Sequence, residues 1–116
     1  MDPASVFRAP LETADLVIAP ELYVAEVCSA FAKYVRARLM SHDQSADLVE
    51  RALALVDDLQ PMRDLVPDML ALSRRSQSSV YDLFYLALAK QTGAILLTAD
   101  IALHHAAERA GVEVRG

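Results

Sequence analysis

Three carboxylate side chains stand at positions where their spacing would support metal-dependent chemistry. Asp100 closely follows an apolar run at residues 95–97. Glu26 lies two helical turns beyond a second apolar run at residues 16–19, and Asp82 lies in the first turn of a predicted helix. Ligands of open α/β sheets bind beyond the carboxyl ends of the strands. The three carboxylates converge there if their helices begin at that edge.

The chemistry of such a site follows from the charges that it gathers. Carboxylates that share a pocket repel one another unless a divalent cation neutralises them. Ligand sets made only of oxygen favour Mg²⁺ or Mn²⁺ over zinc. The bound ion activates water and stabilises the charge of a phosphodiester displacement, particularly where two ions lie about 4 Å apart. The acids therefore predict a hydrolytic Mg²⁺ site, with Mn²⁺ as the alternative ion.

A simpler interpretation of the same residues stays open. Aspartate is common at helix starts, because its carboxylate caps free backbone N–H groups and complements the helix dipole. Asp82 and Asp100 could both serve only that purpose. Glu26 could be a solvated residue on a helix surface.

Short apolar strands alternate with helices along the chain and would position these acids. Residues 94–98 form the clearest predicted strand, and residues 16–19 form another, closed by Pro20. Pro20 also suits the first turn of the following helix. Ser79 is the natural N-cap of a later helix, and Gly93 is its natural stop. The predicted helices span residues 20–38, 45–57, 67–75, 80–91 and 102–110, and two weaker strands span residues 62–65 and 112–114.

The order of these elements predicts an α/β fold. Strands that alternate with helices form a parallel sheet with helices on both faces, which gives three layers. The helices over residues 20–38 and 45–57 are joined by a short turn and should pack as an antiparallel hairpin. The whole chain, residues 1–116, fits a single domain.

Composition restricts the partners and the compartment. The formal net charge is −5, which is the wrong sign for phosphate contacts made by Lys and Arg. Either nucleic acid is not the partner, or the acids gather metal ions that invert the local field. An acidic protein also attracts basic peptides. A lone cysteine, no signal peptide and no apolar run of membrane-spanning length predict a cytoplasmic protein that does not enter a membrane.

Three segments resemble the motifs of one family. Residues 19–27 resemble the PIN-domain segment in which a proline-started helix presents a catalytic glutamate. Residues 79–89 are similar to the segment that contains the third acid, and residues 96–100 resemble the strand-end motif that contains the fourth. Each motif is short, but all three occur in the family's order and spacing. The chain therefore resembles a PIN-domain ribonuclease of the VapC toxin type over residues 16–114.

This resemblance implies a fold, a cofactor and partners. The fold would contain a five-stranded parallel sheet, and a Mg²⁺ site held by Glu26, Asp82 and Asp100 would cleave single-stranded RNA. Thr98 would orient a water molecule or a metal ligand, although a satisfied strand-end hydroxyl explains it equally well. An antitoxin protein would silence the enzyme by covering the site, and the protein would form a homodimer.

The N-terminal region departs from the family's pattern. PIN domains open with a strand that ends in an aspartate followed closely by Ser or Thr, and residues 1–15 are too short for that strand and its crossover. They resemble the end of the first helix, interrupted at Pro10. Asp2 and Ser5 match the missing motif only superficially. The first strand and its acid are therefore expected to be missing, so a PIN-like protein that binds a partner without cleaving RNA is the alternative function.

Aromatic and basic residues near the acids have two interpretations each. Tyr81 and Tyr85 flank Asp82 and either stack a nucleobase or, as we expect, pack in the core. Arg74 and Arg75 either contact RNA phosphate or form a solvated helix end, which the sequence favours.

The cysteine and the histidines are predicted to be structural. Cys28 is expected to be a small buried hydrophobic residue. His42, His104 and His105 lack the spacing of a metal site and are expected on the surface.

Overall fold

The computed structural model describes residues 5–116 of the chain, with side chains from residue 9. It divides into two compact units. The first, here called the hairpin unit, is Leu16–Gln60. The second, here called the core unit, is Pro61–Gly116 together with the N-terminal segment up to Asp15. The candidate acids are distributed over both units.

The core unit includes an N-terminal helix, α1 (Ser5–Thr13). Pro10 lies inside α1 and does not interrupt it, so the expected break at this residue is wrong. A proline removes only one helical hydrogen bond, and the helix continues beyond it. At the end of α1, the Thr13 hydroxyl donates to the Ala9 carbonyl oxygen at 2.8 Å. Asp2 lies outside the described residues.

The hairpin unit pairs two parallel strands and two helices. Its elements are β1 (Ile18–Pro20), α2 (Leu22–Arg36), α3 (His42–Ala54) and β2 (Asp58–Gln60), and Ile18 lies opposite Asp58 in the strand pair. Tyr23 at the start of α2 donates its hydroxyl hydrogen to the carbonyl oxygen of Ala52 near the end of α3, at 2.6 Å. The two helices therefore run antiparallel, as predicted.

The sequence suggested that Pro20 belongs to the first turn of α2. In the structure, Pro20 is instead the last residue of β1. The Glu21 amide donates to the Gln60 carbonyl oxygen at 3.0 Å, which continues the strand pairing one residue further. Successive residues of a strand point their backbone groups to opposite sides, so the nitrogen of Pro20 faces away from β2 and loses no hydrogen bond. The helix then begins at Leu22.

A capping box sets the start of α3 at His42, three residues before the predicted Ser45. The Ser41 hydroxyl accepts from the Gln44 amide at 3.1 Å, and the Gln44 side chain accepts from the Ser41 amide at 2.9 Å. These bonds satisfy two backbone donors at the helix start. Ser45 is instead buried within the first turn, where its hydroxyl donates to the His42 carbonyl oxygen.

The core unit contains a β-α-β arrangement at its C-terminal end. The strands β3 (Leu96–Leu97) and β4 (Val114–Arg115) are parallel and are connected through α6 (Ile101–Arg109). Before them come a 3₁₀ helix (Arg63–Leu65), α4 (Val66–Ser73) and α5 (Val80–Thr92). The strand predicted over residues 62–65 is wrong, because these residues form the 3₁₀ turn that leads into α4. The strand lies earlier, at Asp58–Gln60.

Helix α5 forms the centre of the core unit. Ser79 is its N-cap, with a hydroxyl that accepts from the Asp82 amide at 3.1 Å, and Gly93 ends it in the left-handed conformation at φ 74°. Both ends match the prediction. The apolar side chains bury most of the helix circumference and pack against α4, α6 and β3. The buried residues of α5 are Leu83, Phe84, Leu86, Ala87, Leu88 and Ala89.

The predicted α/β class, with short parallel strands, is confirmed. The strands that the structure describes form two parallel pairs, β1 with β2 and β3 with β4. Across the described part of the chain, no helix is both long and apolar enough to span a membrane.

Substitution of Tyr23 by phenylalanine tests the hairpin contact. Burial raises the pKa of Tyr23 above its ordinary value of 10.0. The folded chain therefore keeps this proton more tightly than the unfolded chain, and the resulting stability is present below pH 10 and lost as the pH rises through the folded pKa. Tyr23→Phe should lower the free energy of unfolding by about 1 kcal/mol at neutral pH and remove that alkaline loss.

Urea unfolding of the two chains, near pH 7 and above pH 10, measures both effects. Tyr34→Phe is the matched control, because Tyr34 is an exposed tyrosine of the same helix. Equal stability of Tyr23→Phe and the parent chain at neutral pH would show that the Ala52 contact contributes nothing.

Candidate active site

Asp100 lies where β3 gives way to α6. It is the N-cap of α6 in extended conformation, and its Oδ1 accepts from the Leu103 amide at 2.8 Å. The capping interpretation of Asp100 is therefore correct for one carboxylate oxygen. Asp100 is exposed, and the structure shows no hydrogen bond to its second oxygen within the described residues. That oxygen remains available to a ligand.

Thr98 fixes the backbone that leads to Asp100. The Thr98 amide donates to the Arg115 carbonyl oxygen at 3.0 Å, which extends the pairing of β3 with β4. Its hydroxyl accepts from the Asp100 amide at 3.1 Å. This contact matches the satisfied strand-end hydroxyl of the simpler interpretation. It also orients the residue that precedes α6.

Asp82 lies in the first turn of α5 and is half-buried. Its backbone amide is used by the Ser79 cap, and no hydrogen bond to its carboxylate is found among the described residues. The positive end of the helix dipole favours a carboxylate at this position. Helix α5 thus holds the carboxylate of Asp82 at its N-terminal end.

Element lengths bear on whether Asp82 and Asp100 lie toward the same end of the core unit. Gly93 reverses the chain after α5, and β3 follows after a short turn and packs on the helix. The helix rises about 15 Å from Asp82 to Thr92 at 1.5 Å per residue. The returning segment, residues 94–98, covers about 13 Å at 3.3 Å per residue. We infer that the returning segment runs back along α5 over a similar length, which would bring the two carboxylates near the carboxyl end of β3.

Glu26 belongs to the hairpin unit. It is an exposed residue of α2, in the second turn of that helix. Within the part of the chain that the structure describes, no three His, Cys, Asp or Glu side chains form a group that could hold a metal ion. The structure therefore places Asp82, Thr98 and Asp100 in one unit and Glu26 in the other. A shared site of all three acids stays a prediction.

The core unit offers carboxylate oxygens of the kind that a divalent metal ion binds. Mg²⁺ keeps several water molecules and is commonly bound by one or two carboxylates together with substrate phosphates. Asp82 and the second oxygen of Asp100 would meet that requirement without a third acid where they face one another. Imidazole or thiolate ligands, which zinc prefers, do not form a cluster with them in the described residues.

Two predictions for the remaining polar residues are wrong. Cys28 is exposed on α2 and is not a buried hydrophobic residue. His104 is only partly at the surface, since 29% of its side chain is exposed and its Nε2 is buried without a hydrogen-bond partner in the described residues. His42 and His105 are exposed, as expected.

Tyr81 is the residue beside the acids that the sequence misjudged. The ring was expected in the core, but Tyr81 is 62% exposed. Tyr85, one turn later, is half-buried. Arg74 and Arg75 are exposed at the end of α4, as expected for a solvated helix end. The position of Tyr81 directly before Asp82 was the only sequence signal for a role outside the core.

Comparison with protein families identifies the class of this protein. The model of the PIN domain matches residues 2–109, which is most of the chain, and the chain therefore belongs to the PIN domain family. PIN domains are generally nucleases and typically depend on divalent metal ions. A comparison with curated proteins found no match. The family assignment agrees with the three motif segments and with the α/β fold.

Proposed function

We propose that this chain is a Mg²⁺-dependent endoribonuclease of the VapC toxin type that hydrolyses phosphodiester bonds in single-stranded RNA. The observation that supports it most strongly is the position of Asp82 and Asp100. Asp100 caps the helix that follows β3, and Asp82, in the first turn of α5, is inferred from element lengths to lie near the same strand end, which is where ligands of open α/β sheets bind. Membership of the PIN domain family supports nuclease chemistry at that place.

The two carboxylates would act as metal ligands, with different supports. The Asp100 carboxylate is held by the hydrogen bond that its Oδ1 accepts from the Leu103 amide. Its second oxygen is left for a metal ion, and the fixed backbone determines where that oxygen lies. Thr98 keeps that backbone in place through the Asp100 amide. Asp82 is fixed by the first turn of α5. A bound Mg²⁺ ion supplies Lewis-acid stabilisation of phosphate charge and lowers the pKa of water, and Mn²⁺ can serve in its place.

Glu26 and Thr98 complete the proposed site. Glu26 would be a third metal ligand, on the strength of the motif at residues 19–27. The Thr98 hydroxyl accepts one hydrogen bond from Asp100 and still has its own hydrogen to donate. It would donate to a water molecule at the strand end.

An antitoxin protein and a second copy of the chain are the proposed protein partners. In the hairpin unit, few residues are buried, and Leu39 and Leu55 are 71% and 56% exposed. Exposed apolar residues of this kind are typical of protein contact sites where they form a contiguous patch. The net charge of −5 suits a basic antitoxin segment. We place the protein in the cytoplasm, where its RNA substrate and antitoxin would occur.

A PIN-like protein that binds a partner without cleaving RNA is the alternative. The absence of a three-acid group among the described residues favours it. In this alternative, the protein still binds a protein partner such as an antitoxin, and it has no metal site.

Chelation of the metal separates the two functions. Cleavage of a labelled single-stranded RNA should require Mg²⁺ or Mn²⁺ and fall by about a hundredfold or more in excess EDTA, since metal assistance is worth several kcal/mol. A matched RNA duplex should resist cleavage. No cleavage with either ion, together with binding of an Arg-rich peptide, would instead establish the partner-binding alternative.

A further inference from the structure

Tyr81 exposes a large aromatic ring without a structural reason in the described residues. It is 62% exposed in the first turn of α5, next to the exposed Val80, in a helix whose apolar residues from Leu83 onward are mostly buried. No ring contact involving Tyr81 and no hydrogen bond to its hydroxyl occur in the part of the chain with described side chains. Tyrosine rings usually reduce their exposure by packing. An external planar group would provide the missing contact.

Residues of both signs of charge lie close to Tyr81 along the chain. Asp82 follows it directly, and the capped start of α5 holds both residues in place. Arg74 and Arg75 are exposed at the end of α4 and are separated from Tyr81 only by residues 76–80. An aromatic ring beside basic side chains is the usual composition of a surface that binds single-stranded nucleic acid.

We propose that Tyr81 is a stacking platform for an unpaired nucleobase of single-stranded RNA, with Arg74 and Arg75 against the neighbouring phosphates. This inference rests on the proposed function, because the base would belong to the RNA strand that reaches Asp82 and Asp100. Tyr81 is a positioning residue in this scheme and takes no part in the bond cleavage.

Base stacking answers a difficulty that the charge of the protein raises. A net charge of −5 gives RNA little attraction over the molecule as a whole. The face of a nucleobase is uncharged, so its contact with an aromatic ring does not suffer from the surrounding carboxylates. Stacking of this kind also tolerates any base sequence. Tyr81 would therefore supply affinity and hold the strand in place, while sequence preference would arise elsewhere.

Stacking on Tyr81 would also favour single strands over duplexes. In a duplex, each base is stacked on its neighbours, and freeing one face costs unstacking energy. An unpaired strand presents its base faces without that cost. The proposal thus predicts that Tyr81 matters for single-stranded RNA and not for a duplex of the same sequence.

Fluorescence anisotropy of a labelled RNA decamer, without added metal, tests this role in the full chain. Tyr81→Leu should weaken binding of the single strand about tenfold, within the range that removal of one base-stacking aromatic produces. Tyr81→Phe retains the ring and should bind within about twofold of the parent chain. Tyr34→Leu removes an exposed tyrosine of the hairpin unit and should have no effect. Neither substitution at Tyr81 should alter duplex binding.

The outcomes distinguish this proposal from the proposed function. If Tyr81→Leu binds as tightly as the parent chain, or if the parent chain does not bind the single strand, then Tyr81 is not a stacking platform, whatever the cleavage assay shows. Tenfold weaker binding that phenylalanine restores supports the platform even in a chain that never cleaves RNA. In that case only the nuclease assignment fails. Urea unfolding of each variant confirms that it is folded.

Discussion

Asp82→Asn should lower Mg²⁺-dependent RNA cleavage by about a hundredfold or more, and Asp82→Asn/Asp100→Asn should lower it further. Asparagine keeps the size and shape of aspartate but lacks the charge that attracts a divalent cation. Loss of metal assistance removes several kcal/mol of transition-state stabilisation, and each 1.4 kcal/mol changes the rate about tenfold. Asp82 has no hydrogen bond to its carboxylate in the described residues, so little stability should be lost with the charge.

Substitution at Asp100 separates the metal role from the capping role. The Asp100 carboxylate caps α6 through the Leu103 amide, and asparagine caps helices about as well as aspartate. Asp100→Asn should therefore lose cleavage while the free energy of unfolding stays within about 0.5 kcal/mol of the parent value. Asp100→Ala should lose cleavage and also about 1 kcal/mol of stability.

The matched control is Asp68→Asn. Asp68 is an exposed aspartate in the first turn of α4, in the same unit, and its replacement should leave cleavage unchanged. Cleavage rates and calorimetric titration with Mg²⁺ measure the effect in each variant. Unchanged cleavage and unchanged Mg²⁺ binding in the double variant would remove both residues from the site. Loss of activity in Asp68→Asn would point to a general charge effect.

Leu86→Ala should lower the free energy of unfolding by about 2–5 kcal/mol. Leu86 is fully buried in α5, at 0% exposure, between other buried positions of the same helix. Truncation removes the transfer energy of the side chain and leaves a cavity that a close-packed interior fills only in part. Such a loss is a large fraction of the total stability of a domain of this size.

Urea denaturation followed by circular dichroism measures this loss. Leu70→Ala is the matched control, because Leu70 is a leucine of α4 that is 54% exposed. Its replacement should lower the free energy of unfolding much less than Leu86→Ala does. Similar losses at both positions would mean that α5 is not the centre of the core. The Leu86 variant should still bind RNA where it remains folded, since Leu86 does not reach the surface.

The sequence predicted the elements with strong end signals most accurately. Helix α5 begins after Ser79 and ends at Gly93, as expected, because a side-chain cap and a left-handed glycine each impose a local backbone geometry. The α2–α3 hairpin was also predicted, from two helical patterns and a short turn. The start of α3 was three residues off, because Gln44 completes a capping box with Ser41 that a pattern of apolar residues does not reveal.

The strand β2 was missed for a physical reason. Asp58–Gln60 is mostly exposed and contains no apolar run, so hydrophobic periodicity gives no signal for it. Its pairing with β1 depends on contacts with a segment distant in the chain. The Asp57 carboxylate accepts from the Val17 amide at 2.8 Å, and the Asp57 amide donates to the Val17 carbonyl oxygen at 2.8 Å. Only the three-dimensional structure shows this pair of hydrogen bonds between Asp57 and Val17.

The candidate site was predictable in part. Asp82 and Asp100 could be placed because each follows a clear element boundary, and both boundaries are present in the structure. Glu26 could not be placed in the same way, since a residue in the second turn of a helix reaches a site only through the packing of whole elements. The exposure of the Tyr81 side chain could not be predicted from the sequence either, because helical periodicity does not distinguish a ring at the edge of a core from one outside it.

The capping bond of Asp100 to the Leu103 amide and its proposed role as a metal ligand together restrict which residue types position 100 can accept. Capping of α6 admits serine, threonine, asparagine and aspartate, whereas glutamate is too long for that geometry. The proposed metal site admits only a carboxylate. Aspartate is the one residue type that passes both filters. Functional variants of this chain should therefore retain aspartate at position 100.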